Sequence, residues 1–351
     1  MFEEMLSSQD DWFLKPGPQW EVAVSSRVRL ARNLQGRRFP HHAGAQEQLD
    51  AVEQLEKAFT ALPGENFQVV PLKTVRSLDR QFLVERQLIS AELAGGLGER
   101  GAVFNPSEGV GALLNEEDHL RLQVFKSGLN LQDALHRIRS LEKPLAVILP
   151  FAKDPVLGYL TACPTNLGWG LRASVMLHLP ALVYTNQILK VLEGVHQVGL
   201  IVRGLQGEST RVQSAFFQVS NQSSLGKRPA EIVEHVERVT RQLIEVEWQA
   251  RKTVFSQEGM AAQDRICRTL GVLKSAKLMV LEEAMDSLSA IRVGVEGRMI
   301  KGLTLADLNR LFMAVQPAHL AKAAGQELGP EDQLVHRASY LRQALRQTEP
   351  A

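Results

Sequence analysis

Val22-Ala23-Val24-Ser25-Ser26-Arg27-Val28-Arg29-Leu30 reads as a β-strand. Strand alternation puts Ser25, Arg27 and Arg29 on one face and Val24, Val28 and Leu30 on the other. Two guanidinium groups therefore project together, with Arg32 close behind. Such a pair is costly to hold side by side unless an anion lies between its members, and arginine forks match phosphate oxygens well. A solvated basic edge strand would carry the same pattern, so the neighbouring segments decide between the two readings.

In Gly111-Ala112-Leu113-Leu114-Asn115-Glu116-Glu117-Asp118-His119-Leu120-Arg121-Leu122-Gln123, unbroken alternation would sort Asn115, Glu117, His119, Arg121 and Gln123 onto one face. Glu116 and Asp118 would then share the opposite face with leucines. A face carrying amide, carboxylate, imidazole and guanidinium is poor core material, because each group needs a buried partner. It reads as a site rather than as core. Leu200-Ile201-Val202-Arg203 forms a third apolar run, followed by Gly204-Leu205-Gln206-Gly207-Glu208 and, after Thr210, by renewed β-alternation at Phe216-Phe217-Gln218-Val219. The two glycines allow a loop that brings Glu208 to a ligand, although most glycine-containing hairpin loops do no chemistry. The fourth segment, Gly158 to Val175, holds Cys163-Pro164-Thr165-Asn166 and two further glycines before Arg172. That composition builds a turn, in which Cys163 is either a small buried apolar residue or a thiol near arginines.

The chain of 351 residues, 44% of them hydrophobic, is longer than most single domains. Two are expected, an α+β domain over 1–255 and an all-α domain over 256–351. Amphipathic helical stretches at 45–62, 78–94, 130–142 and 181–193 alternate with short strands, and the clean alternation of those strands predicts a largely antiparallel sheet flanked by helices. From Pro229 to about Phe255, Ile232, Val233, Val236, Val239, Leu243 and Val246 recur at helical spacing and predict one long helix. Beyond it, Leu270, Leu273, Leu278, Leu281, Leu305, Leu308 and Leu311 keep helical phase. The balance of 40 Lys+Arg against 39 Asp+Glu supplies no global field for nucleic acid or an anionic membrane. Two distant cysteines, Cys163 and Cys267, argue against a disulfide scaffold or thiolate zinc site, and no protein-held metal is expected. The acidic amino terminus and the lack of a long apolar run suit a soluble cytoplasmic protein.

With these motifs in order, namely SSRVRLARN from Ser25, NEEDHLRLQ from Asn115, GYLTACPTN from Gly158, LRASVMLHLPAL from Leu171, RGLQGE from Arg203 and QVSNQ from Gln218, the chain resembles the ATP:guanidino phosphotransferases over nearly its whole length, and the protein-arginine kinases among them. The resemblance implies ATP with Mg2+ as cofactors. The nucleotide would be held by Ser25, Ser26, Arg27, Val28, Arg29, Arg121, Arg172, Ala173, Ser174, Val175, Met176, Arg203, Gly204, Leu205, Gln206, Gly207 and Glu208. Glu117 would be the catalytic carboxylate, Glu208 the second guanidinium-binding carboxylate and Cys163 the neighbouring thiolate. The chemistry explains these types: phosphoryl transfer needs alignment and neutralised phosphate charge, while a guanidinium nitrogen becomes nucleophilic only on losing a proton to a carboxylate. Strand alternation also favours Glu117 over Glu116. The family relationship further implies protein substrates presenting arginine, marked for quality control or degradation, a homodimer, an activator protein and a Clp-type protease system.

Three departures from the family pattern stand out. Trp169 replaces a small residue and is expected to narrow the nucleotide or acceptor pocket, while Gln87 replaces a histidine before the LIS triplet. In the tail, Gln333-Leu334-Val335-His336-Arg337-Ala338 keeps only Arg337 and Ala338 of the phosphoarginine-reading RDxxRA element, leaving Arg337 with one exposed ion pair at most. Two other readings compete with the protein kinase. One is a kinase of small guanidino metabolites, set against the lack of the helical domain that in those enzymes precedes the SSRVR-like strand. The other is a weakened kinase serving as an arginine- or phosphoarginine-binding adaptor.

Overall fold

The computed structural model describes residues 2–8, 11–105, 107, 109–204 and 214–351. Eight strands form one antiparallel sheet: β1 (Ala23–Arg32), β2 (Gln68–Pro71), β3 (Gly101–Asn105), β4 (Val110–Leu114), β5 (Leu120–Ser127), β6 (Leu171–His178), β7 (Leu200–Gly204) and β8 (Phe216–Asn221). Their order is β2-β3-β4-β5-β1-β6-β8-β7. The sheet therefore has β1 near its centre, paired with β5 on one side and β6 on the other.

One face of this sheet is apolar and covered. Val28 and Leu30 of β1, Leu122 and Val124 of β5, and Ala173, Val175 and Leu177 of β6 join one buried cluster with Leu55 and Phe59 of α1 (Ala45–Thr60), with Leu135, Ile138 and Leu141 of the later helix 131–148, and with Ile232, Val236 and Leu243 of the long helix. Val24 is only half-buried: the β1–β6 register shifts between Ala23 and Ser25, so Ala23 takes the core position and Val24 is the extra residue of a bulge.

Helices follow the predicted periodicity with two interruptions. The stretch 78–94 contains α2 (Ser77–Glu85) and a short helix Ala91–Gly95, because Gln87 adopts φ 61, a left-handed conformation that no helix continues through. The stretch 181–193 is likewise split into Pro180–Tyr184 and Ile188–Gln197 around Asn186 at φ 55. In contrast, α3 (Leu131–Ile148) runs past the predicted end and through Pro144. The long helix is α4 (Pro229–Gln257); Pro229 opens it, and Glu231 accepts from the free N–H of Arg228. Position 246 faces solvent, and Glu247 is buried beside it, its carboxylate accepting from the N–H groups of Ala181 and Leu182.

The remaining chain forms α5 (Gly259–Ser275), α6 (Leu281–Glu296), α7 (Leu305–Ala314), α8 (Pro317–Ala324) and α9 (Pro330–Ala344) around a second core of Ile266, Leu270, Leu273, Leu288, Ile291, Leu308 and Leu341. Leu278, expected in that core, is exposed in the link before α6. The helical part also reaches back to the sheet part. Glu85, the last residue of α2, accepts from the N–H groups of Ala318 and His319 in the first turn of α8. Among the described residues, no helix is long and apolar enough to cross a membrane.

Candidate active site

The opposite face of the sheet, covered over β2–β4 by a smaller apolar cluster of Phe82, Leu83, Ala102, Phe104 and Leu113, carries the arginines on its remaining strands. Residues paired across an antiparallel ladder point to the same side. Arg27 lies opposite Phe125 and Ser174, and Arg29 opposite Gln123 and Arg172. Ala31 faces Arg121, Ser220 faces Ser174, and Gln218 faces both Met176 and Arg203. Ser25, Arg27, Arg29, Arg121, Arg172, Ser174, Met176, Arg203, Gln218 and Ser220 thus share one face across five strands. The side chains of Ser26, Val28, Ala173 and Val175 point the other way, into the core; Ser26 donates to the carbonyl of Gly128 at 2.8 Å. Any contact these four residues make with a nucleotide would have to come from their backbone.

This crowding has an electrostatic cost. Burial, then Arg172 and Arg121, push the Arg27 guanidinium down to about 10, although Glu116 pulls it back up. Arg29 is also lowered well below its ordinary value, again first by burial and then by Arg27, Arg121 and Arg172, against Glu116. Arg172 is lowered by burial, Arg203 and Arg121, against the influence of Cys163. The buried Nε atoms of Arg27 and Arg172 have no partner among the described residues. Buried donors without partners next to mutually repelling cations are what a polyphosphate would satisfy.

The acidic segment corrects the alternation expected for it. Residues 115–119 are not strand but the turn joining β4 to β5: Asn115 holds φ 54 and its N–H donates to the carbonyl of His119 at 3.0 Å. The chain reverses here, so position parity says nothing about which carboxylate faces the site. Glu116 is buried on the arginine side, where it pairs with Arg121 and accepts from Ser90. Glu117, 44% exposed at the side chain, pairs with the same arginine from the rim. These carboxylates raise the Arg121 pKa even though burial, the largest influence on it, acts the other way. His119 is not on the site face: its Nδ1 accepts from Leu34 N–H at 3.3 Å and its ring meets the Arg38 backbone, so it pins the turn to the exit of β1.

Residues that sequence reading passed over hold this arrangement. Asp118, fully buried, accepts from Asn33 Nδ2 at 2.6 Å and from Ala162 N–H at 2.8 Å. It ties the acidic turn to the end of β1 and to the residue before Cys163; its neighbours in the NEEDH and LARN motifs were the available signal. Arg32, expected beside the arginine pair, is instead buried on Glu142, with its guanidinium 3.5 Å from the Tyr159 ring centroid. Arg32 therefore belongs to the scaffold.

Cys163 is a free thiol, partly exposed, with Sγ 3.0 Å from Thr165 Oγ1. Its loop closes by a tight approach of glycines, since a Cβ on Gly158 would fall 2.4 Å from the carbonyl oxygen of Gly168. Trp169 packs its ring against the main core near Tyr159, and its carbonyl accepts from Arg32 at 2.8 Å. The ring does not line the pocket beside the arginines. That pocket, of about 250 Å³, is lined by Arg27, Arg29, Glu116, Arg121, Gln123 and the wall from Val84 to Glu92, which includes Gln87. Arg203 and Gly204 end β7, whereas Leu205, Gln206, Gly207 and Glu208 lie outside the described residues.

In the tail, Arg337 is not exposed. It is 2% accessible and donates to the carbonyls of Val315 and Met279 at 2.8 and 3.0 Å, which makes it a strut between α7 and the start of α6.

Residues 50–250 match the ATP:guanido phosphotransferase C-terminal catalytic domain, and residues 260–351 match the protein-arginine kinase McsB C-terminal domain. A protein-arginine kinase of Moorella thermoacetica is 42% identical over 97% of this chain and 98% of its own length. One from Symbiobacterium thermophilum is 39% identical over 98% and 99%. Among solved structures, lombricine kinase superposes with a TM-score of 0.60 at 24% identity, covering 68% of this chain and 69% of that one, a likeness of fold. The chain belongs to the ATP:guanido phosphotransferase family, within its protein-arginine kinase branch.

Proposed function

We propose that this protein transfers the γ-phosphoryl group of ATP to arginine side chains of other proteins. The observation that carries the reading is the convergence of Arg27, Arg29, Arg121 and Arg172 on one sheet face, with Glu117 at its exposed rim. The arginines hold and neutralise the phosphates. Glu117 orients the acceptor guanidinium and takes a proton from the attacking nitrogen; the N–P bond forms as the bond from the γ-phosphorus to the bridging oxygen breaks, and ADP leaves with that electron pair. Glu208 is the second carboxylate for the guanidinium, and Cys163 lies within the electrostatic influence of Arg172. Mg2+ belongs to this reading as a companion of the nucleotide. Phosphates and water would fill most of its coordination, Glu116 in the pocket would be the supporting carboxylate, and the ion would add neutralising charge.

The reading takes residues 1–255 as the catalytic domain and 256–351 as a second, dimerising one. It also places the protein in the cytoplasm, with an activator protein and a Clp-type protease acting around it. The full chain, incubated with ATP and, separately, a denatured basic protein, free arginine and creatine, tests the proposal. Acid-labile phosphate on protein arginines, located by mass spectrometry, is expected. Phosphate on free arginine or creatine alone would make it a metabolite kinase, and binding without transfer an adaptor.

A further inference from the structure

Helix α6 grips the edge of the catalytic sheet at two points one turn apart. Asp286 Oδ1 accepts from the backbone N–H of Ser214 at 2.7 Å and from its hydroxyl at 3.0 Å. Three residues on, Ser289 Oγ lies 2.8 Å from Nε2 of the buried His178, whose ring packs on Phe216 with centroids 4.8 Å apart. Both contacts fall where β8 begins. Ser214 and Ala215 hold φ 57 and 55, two successive non-glycine residues in the left-handed region. That conformation is unfavourable and persists only where surroundings impose it. Ala215 has no side-chain group to stabilise it; its carbonyl accepts from Leu179 N–H at 2.9 Å, and Asp286 holds the residue before it.

We propose that Asp286 is a positioning residue for the reaction, through which the C-terminal helices fix the point where the chain enters β8. The inference rests on the proposed function, because the sequence between Gly204 and Ser214 contains Glu208. Both ends of that stretch are fixed in the fold, Gly204 by pairing with Phe217 and Ser214 by Asp286. The strand that follows presents Gln218 and Ser220 to the arginine face, and Ser220 Oγ accepts from Arg172 at 2.9 Å. The contact also borders a cavity of about 320 Å³ between the two parts of the molecule, lined by Tyr184, Val254, Arg265, Ile266 and Val293 among others. Truncating Asp286 leaves room for water there, so the fold has no reason to collapse.

The test uses the full chain with Asp286→Ala, Asp286→Asn and Ser214→Ala. Asparagine keeps an oxygen that accepts both bonds; alanine keeps neither. Asp286→Ala is expected to lower kcat for protein-arginine phosphorylation about tenfold, the size of one or two lost hydrogen bonds. The ATP KM should stay within about twofold of wild type and the asparagine variant within about threefold, because phosphate contacts and acceptor geometry are retained respectively. Ser214→Ala should fall between the two. Hydrogen exchange at the Ser214 amide, read on the same proteins, should quicken in Asp286→Ala only. Unchanged kcat in Asp286→Ala overturns the inference, as does a loss of kcat matched by an equal loss of ATP affinity and thermal stability. Should Asp286→Ala fail to fold, unchanged kcat in Ser214→Ala overturns it. If the wild-type protein transfers nothing to arginine, the proposed function fails, and the exchange measurement still decides whether Asp286 holds Ser214.

Discussion

Replacing Arg27 by methionine should make the ligand-free protein more stable and the ATP-bound protein worse off. The guanidinium is lowered from its ordinary value to about 10, first because it is buried and then because Arg172 and Arg121 crowd it. At about 1.4 kcal/mol per pH unit, a lowering of that size makes the charged form cost on the order of 3–4 kcal/mol in the fold. The sign is unambiguous at neutral pH: the group is charged in both folded and unfolded chains, and a lowered folded value means that the charge opposes folding. Methionine has similar reach without the charge, and replacing a buried charge by an apolar side chain of similar size is often stabilising, here by about 1–3 kcal/mol. ATP reverses the order. A lost charge-assisted contact of about 1.5–3 kcal/mol weakens binding tenfold or more. Urea midpoints in chloride buffer free of sulfate and phosphate, with and without ATP, read both effects. At one hundred times the wild-type Kd, ATP should stabilise wild type by about 2.7 kcal/mol and the variant by about 1.4 kcal/mol or less. A variant less stable than wild type without ATP, yet stabilised equally by it, would refute the phosphate-clamp account of this face.

Glu117→Gln should abolish transfer while leaving the fold and ATP stabilisation intact, since its side chain is 44% exposed; retained transfer would remove Glu117 from the chemistry. Glu116→Gln, by contrast, should lower the urea midpoint of the free protein, because it discharges the buried partner of Arg121. His119, lowered by burial from 6.5 to about 4, stays neutral in the fold. Its contribution to stability is full above pH 6.5 and is lost as pH falls towards 4, by up to about 1.4 kcal/mol per unit; urea unfolding with no difference between wild type and His119→Gln across that window would refute this. Free phosphoarginine should not raise the rate, because Gln333 and Leu334 replace the charged pair and Arg337 is buried, donating to Val315 and Met279. A saturable activation would overturn that expectation. Arg337→Ala should instead cost about 2–4 kcal/mol of stability, readable in a urea midpoint, as buried carbonyls lose their donors.

Strand alternation made the central strand legible because it holds wherever the chain stays extended, and β1 stays extended through Arg27 and Arg29. It failed at Glu116 because a polar run in a turn looks the same as a polar run on a strand face. What distinguishes them is Asn115 in the left-handed region, a conformation that Asn tolerates without announcing. Helix periodicity failed in the same way at Gln87 and Asn186, where a single residue ends a helix while the apolar spacing carries on. The wall of the pocket was illegible for a different reason. It is brought to the arginines by α2 and the turn after it, and α2 is held by Glu85 on α8, more than two hundred residues later in the chain.

The same long-range dependence separates arginines that sequence cannot tell apart. Arg32 has Glu142, Arg86 has Asp11, Arg251 has Glu247 and Glu296, and Arg292 has Glu296. Each of these buried cations meets a carboxylate, as burial demands. Arg27, Arg29 and Arg172 meet no carboxylate within ion-pair distance among the described residues; Arg27 lies over the Phe125 ring and Arg172 reaches only a serine hydroxyl. A fold that gives four of its buried arginines a carboxylate, and Arg337 two backbone carbonyls, has no structural use for three clustered ones that are left to repel one another. Their missing counter-charge is best understood as the substrate's: the phosphates bring it, and the electrostatic cost borne by the free protein is released on binding. Glu116 and Glu117 hold Arg121 out of this group, so the clamp has one arginine already balanced, next to the rim where a second cation, the acceptor guanidinium, has to be welcomed rather than repelled.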